Sequence, residues 1–348
     1  MKIGGENLIF AFLFILTSQF VVRGDVTLYE YETLWSSVEC DCDRLSTLDV
    51  SEVQVHVYNY GSQGAEDASY LVHDAAAAIL SRPDFDPLQC VDIFIQGFNN
   101  TIHDNRAETA RCVHSQITCN GQGTMGIIVD SSAYTSGGSD LTDLPVTYKR
   151  SVLYSKSIGQ ALGEFIVKLL SKVKIANINI SGHGLGAHIM GYAAEVVRDQ
   201  VYPLPVIYAL DPTGTCFEDC PFEHVRSGQA DLVVTTHCTT VVGTKIDAAD
   251  FDFYANNGET QNGCALLKDP FGEESVSCSH YQCVPLGLSP AVASNIWKAK
   301  SCDSYNDFIE GNCDFHESTL AGYRRLPTSS PGKYYFDTPV DPICEFQT

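Results

Sequence analysis

Residues 182–188 read Gly-His-Gly-Leu-Gly-Ala-His, and the segments on either side leave few folds open to this chain. Ile175 to Ser181 alternates apolar and polar residues with β-branched side chains, which predicts a strand. From Leu185 onward, Ile189, Tyr192, Ala193 and Val196 recur at helical spacing, which predicts a helix. A strand that turns into a helix this abruptly needs glycines where backbones touch. Gly182 and Gly186 supply them. The arrangement is that of a nucleophile elbow, a strained turn that presents one catalytic side chain. The residue at its apex is Gly184, which has no side chain to present. Taken alone, the run also fits an ordinary strand-to-helix turn whose glycines serve tight packing. Ser181 lies three residues before the apex, at the strand's end, where its side chain misses the site.

Elsewhere the chain alternates the two kinds of element. Strands are predicted at Val53–Tyr58, Val91–Ile95, Ile127–Val129, Val206–Leu210 and Leu232–Thr236. Helices are predicted at Ala75–Leu80 and Ile158–Lys172. Such alternation implies an α/β fold: a mostly parallel central sheet flanked by helices, with right-handed crossovers. The C-terminal stretch, rich in Tyr, Pro and Cys, is expected to pack around that sheet. No repeat, low-complexity tract or linker divides the chain, so residues 25–348 are expected to form one domain.

Residues 1–24 look different. Lys2 precedes an apolar core from Leu8 to Leu16, and Val-Val-Arg-Gly follows it, as in a secretory signal peptide cleaved after Gly24. That core is too short to span a bilayer, and no later stretch is apolar enough. The product is therefore expected to be extracellular, without a transmembrane segment. Fourteen cysteines fit an oxidising compartment and a disulfide-stapled domain. Asn99-Asn-Thr is a candidate glycan acceptor, whereas Asn179-Ile-Ser falls in a buried strand. A net charge of −22 repels nucleic acid and anionic lipid, and no basic run opposes it. With 44% hydrophobic and only 18% charged residues, the chain can fill a large core.

Several further segments then follow in a telling order. They are Ile-Gln-Gly-Phe (95–98), the elbow, Ala-Leu-Asp-Pro-Thr-Gly (209–214) and Ala-Asp-Leu-Val-Val-Thr-Thr-His (230–237). Asp-Phe-Tyr-Ala-Asn-Asn-Gly-Glu-Thr-Gln-Asn-Gly-Cys (252–264) and Cys-Ser-His (278–280) complete the set. From about Val53 to Thr338 the chain resembles the pancreatic-type lipases and their phospholipase A1 and insect yolk-protein relatives, which have the α/β-hydrolase fold. The lipid-binding β-sandwich that some members carry at the C-terminus is not expected here.

The resemblance implies a set of roles. Asp211 would orient His280, and His280 would take a proton from a serine at position 184, where this chain has glycine. The backbone N–H groups of Phe98 and Leu185 would form the oxyanion hole. Gln96 stands where active relatives usually have histidine, a second departure. His237 resembles a buried structural histidine, and His183 and His188 are expected to pack beside the elbow.

Cys264 and Cys278 would enclose a short lid, polar through Lys268, Asp269, Glu273 and Glu274, which is more similar to the phospholipase A1 branch than to triglyceride lipases. Family spacing also pairs Cys302 with Cys313 and Cys112 with Cys119. The remaining cysteines are unassigned, and Cys40-Asp-Cys42 suits disulfides better than a metal. Arg226-Ser-Gly-Gln-Ala lacks the aspartates with which some relatives bind calcium, so no metal or cofactor is expected.

Three functions remain open. One is a non-catalytic extracellular protein with a lipid or acyl ligand in the emptied cleft. A second is yolk-type storage, and a third is a weak or altered ester hydrolase of lipase or phospholipase A1 type.

Overall fold

Seven parallel strands occupy the middle of one eleven-stranded sheet. In chain order the strands are β1 (Gln54–Asn59), β2 (Ala68–Leu71), β3 (Val91–Ile95), β4 (Met125–Asp130), β5 (Ile178–His183) and β6 (Ile207–Leu210). They continue with β7 (Val233–His237), β8 (Phe251–Ala255), β9 (Trp297–Ser301), β10 (Ser318–Ala321) and β11 (Gly332–Phe336). Across the sheet they run β10-β9-β11-β8-β7-β6-β5-β3-β4-β1-β2, with antiparallel pairing only towards the two edges. The computed structural model describes residues 33–338 apart from 43–46, 60–67, 120, 138–142, 221–222, 265–272 and 293–296. The expected signal segment at residues 1–24 lies outside the described residues, as do Lys268, Asp269 and Cys344.

The central strands are buried on both faces, so they read as continuous apolar runs rather than alternating ones. On β3, Val91, Ile93 and Ile95 join one core, and Phe94 joins the other. The first core is covered by α1 (Val72–Leu80), α3 (Leu144–Leu169) and α4 (Leu185–Gln200). The second is covered by α2 (Asn105–Gln116) and α5 (Glu273–Leu288). Ile93, Ile127 and Ile128 are at most 1% exposed, and burying each contributes about 1.5–3 kcal/mol.

Several elements differ from the sequence expectation, among them the helix expected at Ile158–Lys172, which runs from Leu144 to Leu169. The strand expected from Ile175 begins at Ile178, because Ile175–Asn177 closes a 3₁₀ turn first. Asn177 donates its backbone N–H to Lys174 O and its side-chain amide to Leu88 O, which ends the period-two pattern there. The C-terminal stretch does not merely cover the sheet. It supplies β9, β10 and β11, and β11 pairs in parallel with β8.

Six disulfides staple the described residues: 40–216, 42–220, 90–119, 238–283, 264–278 and 302–313. The pairing of Cys112 with Cys119 is corrected. The hairpin after α2 folds Cys119 back to the residue just before β3, leaving it 5.7 Å from Cys90, Cα to Cα, within bonding range. Cys40 and Cys42 each bond to the loop after β6 and so cannot form a metal site.

On the α2 and α5 side of the sheet lies a buried polar group. Asp92 of β3, fully buried, accepts from Tyr323 Oη at 2.6 Å and from an Arg324 guanidinium nitrogen at 3.1 and 3.0 Å. His114 packs beside Tyr323, and neither of its ring nitrogens has a partner among the described residues. Burial therefore pushes its pKa from 6.5 down to about 4. A depressed histidine lends stability above its unfolded pKa and loses it as pH falls through the folded one. The chain should therefore lose roughly 3 kcal/mol through this group between about pH 6.5 and 4. Urea midpoints measured against pH should fall across that window, and His114→Phe should flatten the slope. An unchanged slope in the variant would refute the assignment.

Candidate active site

The C-terminal ends of β3, β5, β6 and β7 converge, which is where open parallel sheets build their sites. Gly97 and Phe98 follow β3, Gly184 follows β5, Asp211 follows β6, and Cys238 follows β7. The turn after β5 has the geometry of an elbow. Gly184 has φ +57° and ψ −121°, a conformation that strains any side-chain-bearing residue. Its flanks admit no side chain at all. A Cβ on Gly182 would stand 2.4 Å from Gly186 O, and one on Gly186 would stand 2.4 Å from both Ile95 O and Gln96 O.

Opposite the apex stands an imidazole. A Cβ on Gly184 would lie 3.0 Å from His280 Nε2, 3.3 Å from its Cε1 and 3.7 Å from Thr213 Cγ2. The other ring nitrogen, Nδ1, meets Asp211 Oδ2 at 2.6 Å. Asp211 is fully buried, and its Oδ1 accepts from the backbone N–H of Cys238 at 2.7 Å and Thr239 at 3.1 Å. The Cys238–Cys283 bond ties the loop after β7 to α5 three residues past His280. Gln261, from the 252–264 segment, donates its backbone N–H to Ser279 Oγ, next to His280. Its side-chain amide donates to Cys238 O and Ala255 O. The dyad is thus held from three sides.

The other residues singled out by the sequence fall into place around it. The Phe98 and Leu185 backbone N–H groups donate to no protein acceptor among the described residues. Phe98 also packs edge-on against Tyr148 at 5.2 Å, and Tyr148 bonds to Thr213 Oγ1. Gln96 donates to Thr101 O, while its buried Oε1 has no partner among the described residues. Ser181 is buried, with its hydroxyl directed at Ile93 O. Asn99 is exposed, at φ +54°. Cys264 and Cys278 are bonded to each other, and residues 265–272 between them are not among the described ones.

The three other histidines differ in kind. His237 is buried, bonded to Asp252 Oδ1 at 2.8 Å and stacked on Tyr254. His188 links Thr213 O to the Val225 N–H and stacks on Phe217. His183 does more than pack. Its Nε2 bonds to the backbone carbonyl of His280 at 2.9 Å, with the two rings 4.2 Å apart. Burial, and then the neighbouring His280, hold its pKa well below the ordinary imidazole range. That contact spans 97 residues of sequence, and no local pattern signals it.

Cys238 and Cys283, beside Asp211, are bonded to each other. Asp247, near His237 and Asp252, pairs with Lys333 at 2.9 Å. Arg226, in the loop after β6, pairs with Glu195 of α4 at 2.7 Å.

The sequence model of the lipase family matches residues 45–322. The chain belongs to the lipase family. Phospholipase A1 2 of Dolichovespula maculata is 34% identical over 144 residues, covering 40% of this chain and 45% of that protein. Lipase member H of Oryctolagus cuniculus is 31% identical over 48% of this chain and 37% of its own length. The chain spans less than half the length of either relative. Phospholipase A1 4 of Polistes dominula is 27% identical, covering 75% of this chain and 77% of that protein. The six disulfides among the described residues are consistent with an oxidising compartment. Among the described residues, no helix is long and apolar enough to cross a membrane.

Proposed function

We propose that this chain is a secreted lipase-fold protein that does not cleave esters and holds a lipid or acyl group in the emptied cleft. The observation that carries the reading is the vector of the missing side chain. Position 184 is where a serine hydroxyl would reach His280 Nε2, and glycine stands there. A covalent acyl intermediate needs that hydroxyl. Asp211 and His280 can orient and accept a proton, but this chain gives them no nucleophile.

The intact Asp211–His280 pair favours a ligand-holding site over yolk-type storage, because a storage body has no use for a buried, doubly anchored carboxylate. It also motivates the weak-hydrolase reading, in which His280 activates a water. Serine proteases stripped of a triad member keep only ~10³–10⁴-fold over the uncatalysed rate, far below a working enzyme. Purified wild-type protein, given phospholipid and short-chain esters, should show no more than that residue. Turnover at the rate of an active phospholipase A1 would overturn the proposal.

Secretion has a separate test. Asn99 is exposed, and Thr101 completes its acceptor triplet. Protein from a secretory host should lose mass on treatment with peptide N-glycosidase, with Asn99 converted to Asp in the peptide map. Unmodified Asn99 in protein recovered from the medium would count against the site.

A further inference from the structure

Gln96 and His183 stand side by side beneath the elbow. Phe94 and Ile95 of β3 are paired with Ser181 and Gly182 of β5, so the next step of these parallel strands sets Gln96 against His183. Strand alternation puts both side chains on the face of Phe94, the one covered by α2 and α5. Each residue is 1% exposed. His183 Nδ1 is turned towards β3, since a Cβ on Gly97 would lie 3.4 Å from it. Arg106, in the first turn of α2, stands 5.6 Å over the ring of Tyr281, next to His280. It lies near enough to His183 to disfavour a charge there.

Each of the three carries one buried polar atom without a partner among the described residues: Gln96 Oε1, His183 Nδ1 and Arg106 Nε. The bonds already made fix what each atom can do. Gln96 gives its amide hydrogen to Thr101 O at 3.0 Å, so its other terminal atom is the oxygen, an acceptor. His183 Nε2 lies 2.9 Å from the carbonyl oxygen of His280, so that nitrogen carries a hydrogen. A second hydrogen on Nδ1 would make the ring an imidazolium, which burial first, then His280 and Arg106, all disfavour. Nδ1 is therefore a bare acceptor. Arg106 Nε carries one hydrogen and can only donate. A cation here would be repelled by the guanidinium, and an anion by the two acceptors. Water, with two hydrogens and free lone pairs, matches all three.

We propose that one internal water binds at this place, donating to Gln96 Oε1 and His183 Nδ1 and accepting from Arg106 Nε–H. Internal waters typically make about three such bonds to buried polar groups. Gln96 is then a positioning residue. Its oxygen holds the water, and the water holds the bare nitrogen of His183. The opposite nitrogen of that ring holds the main chain of His280, whose imidazole faces Gly184. The site stands whether or not the chain cleaves esters.

A crystal structure of the unmodified chain, at a resolution that shows ordered water, tests this directly. One density peak should lie about 2.7–3.2 Å from all three atoms. No peak there, or Arg106 Nε bonded directly to Gln96 Oε1 or His183 Nδ1, would overturn the site. In solution, the nitrogen-15 spectrum of histidine-labelled protein should show His183 neutral, with its hydrogen on Nε2. A hydrogen on Nδ1 would sink the proposal equally.

Gln96→Met keeps the length of the side chain and removes its oxygen. Oxygen-17 relaxation dispersion should count one long-lived water fewer in that variant than in the unmodified chain. The His183 Nδ1 resonance should shift towards that of a nitrogen accepting no hydrogen bond, a change that loosened packing alone does not produce. If either reading is unchanged in a folded variant, Gln96 does not hold the water. Should the variant fail to fold, the density and the spectrum of the unmodified chain still decide.

Discussion

Gly184→Ser is expected to raise ester hydrolysis by at least ~10³-fold over the parent chain, the scale on which a single triad member matters. Asp211 and His280 stand together beside the apex. Asp211 Oδ2 lies 2.6 Å from His280 Nδ1, and His280 Nε2 faces the apex. A serine Cβ would come within 3.0 Å of that nitrogen, so the ring must withdraw by a few tenths of an ångström. It can do so, because His280 is a partly exposed side chain rather than fixed backbone. The gain should come at a cost in stability. Glycine relaxes the φ +57° backbone at the apex, and serine restores strain of about 1–3 kcal/mol. The variant should therefore melt lower while turning over phospholipid, and adding His280→Gln should abolish the gain. A folded variant with no gain would show that the Phe98 and Leu185 N–H groups no longer meet the oxyanion.

Arg324→Met should destabilise the chain by about 3–5 kcal/mol, because it removes one partner of a buried ion pair. Asp92 is fully buried and would keep only the Tyr323 hydroxyl at 2.6 Å. The reverse change, Asp92→Asn, should cost less, since Arg324 is 22% exposed and can turn to water. The double variant should be more stable than the sum of the single effects predicts, with a coupling readable from a double-mutant cycle in urea. A loss below about 1 kcal/mol for Arg324→Met would mean that Asp92 finds another donor. The pair lies 232 residues apart in sequence and pins the turn after β10 under β3. It fastens the sheet's added edge to its centre.

The elbow could be read from the chain because everything that defines it is contiguous. Strand periodicity, two obligatory glycines and helical spacing all lie between Ile175 and Val196. The glycines at 182 and 186 are needed for the same local reason, a backbone carbonyl 2.4 Å from any Cβ. Asp211 and His280 were marked only by resemblance to a family, since nothing in their own neighbourhoods says that they meet.

Other features depended wholly on how distant segments come together. Cys119 lies nearer in sequence to Cys112, yet the return of the hairpin brings it to Cys90. The C-terminal stretch reads as covering loops, yet it supplies three strands. Asp92 reads as a polar interruption in an apolar strand until Tyr323 and Arg324 arrive beneath it.

Alone, the amino-acid order settled what short-range sterics and periodicity control: the alternating elements and a tight glycine turn between a strand and a helix. The tertiary structure decided which cysteines bond, which strands extend the sheet, and that His280 still points at the apex. Side-chain pattern constrains a residue's own turn or strand. Contacts between distant residues instead depend on crossover connections and strand register, which no local pattern encodes.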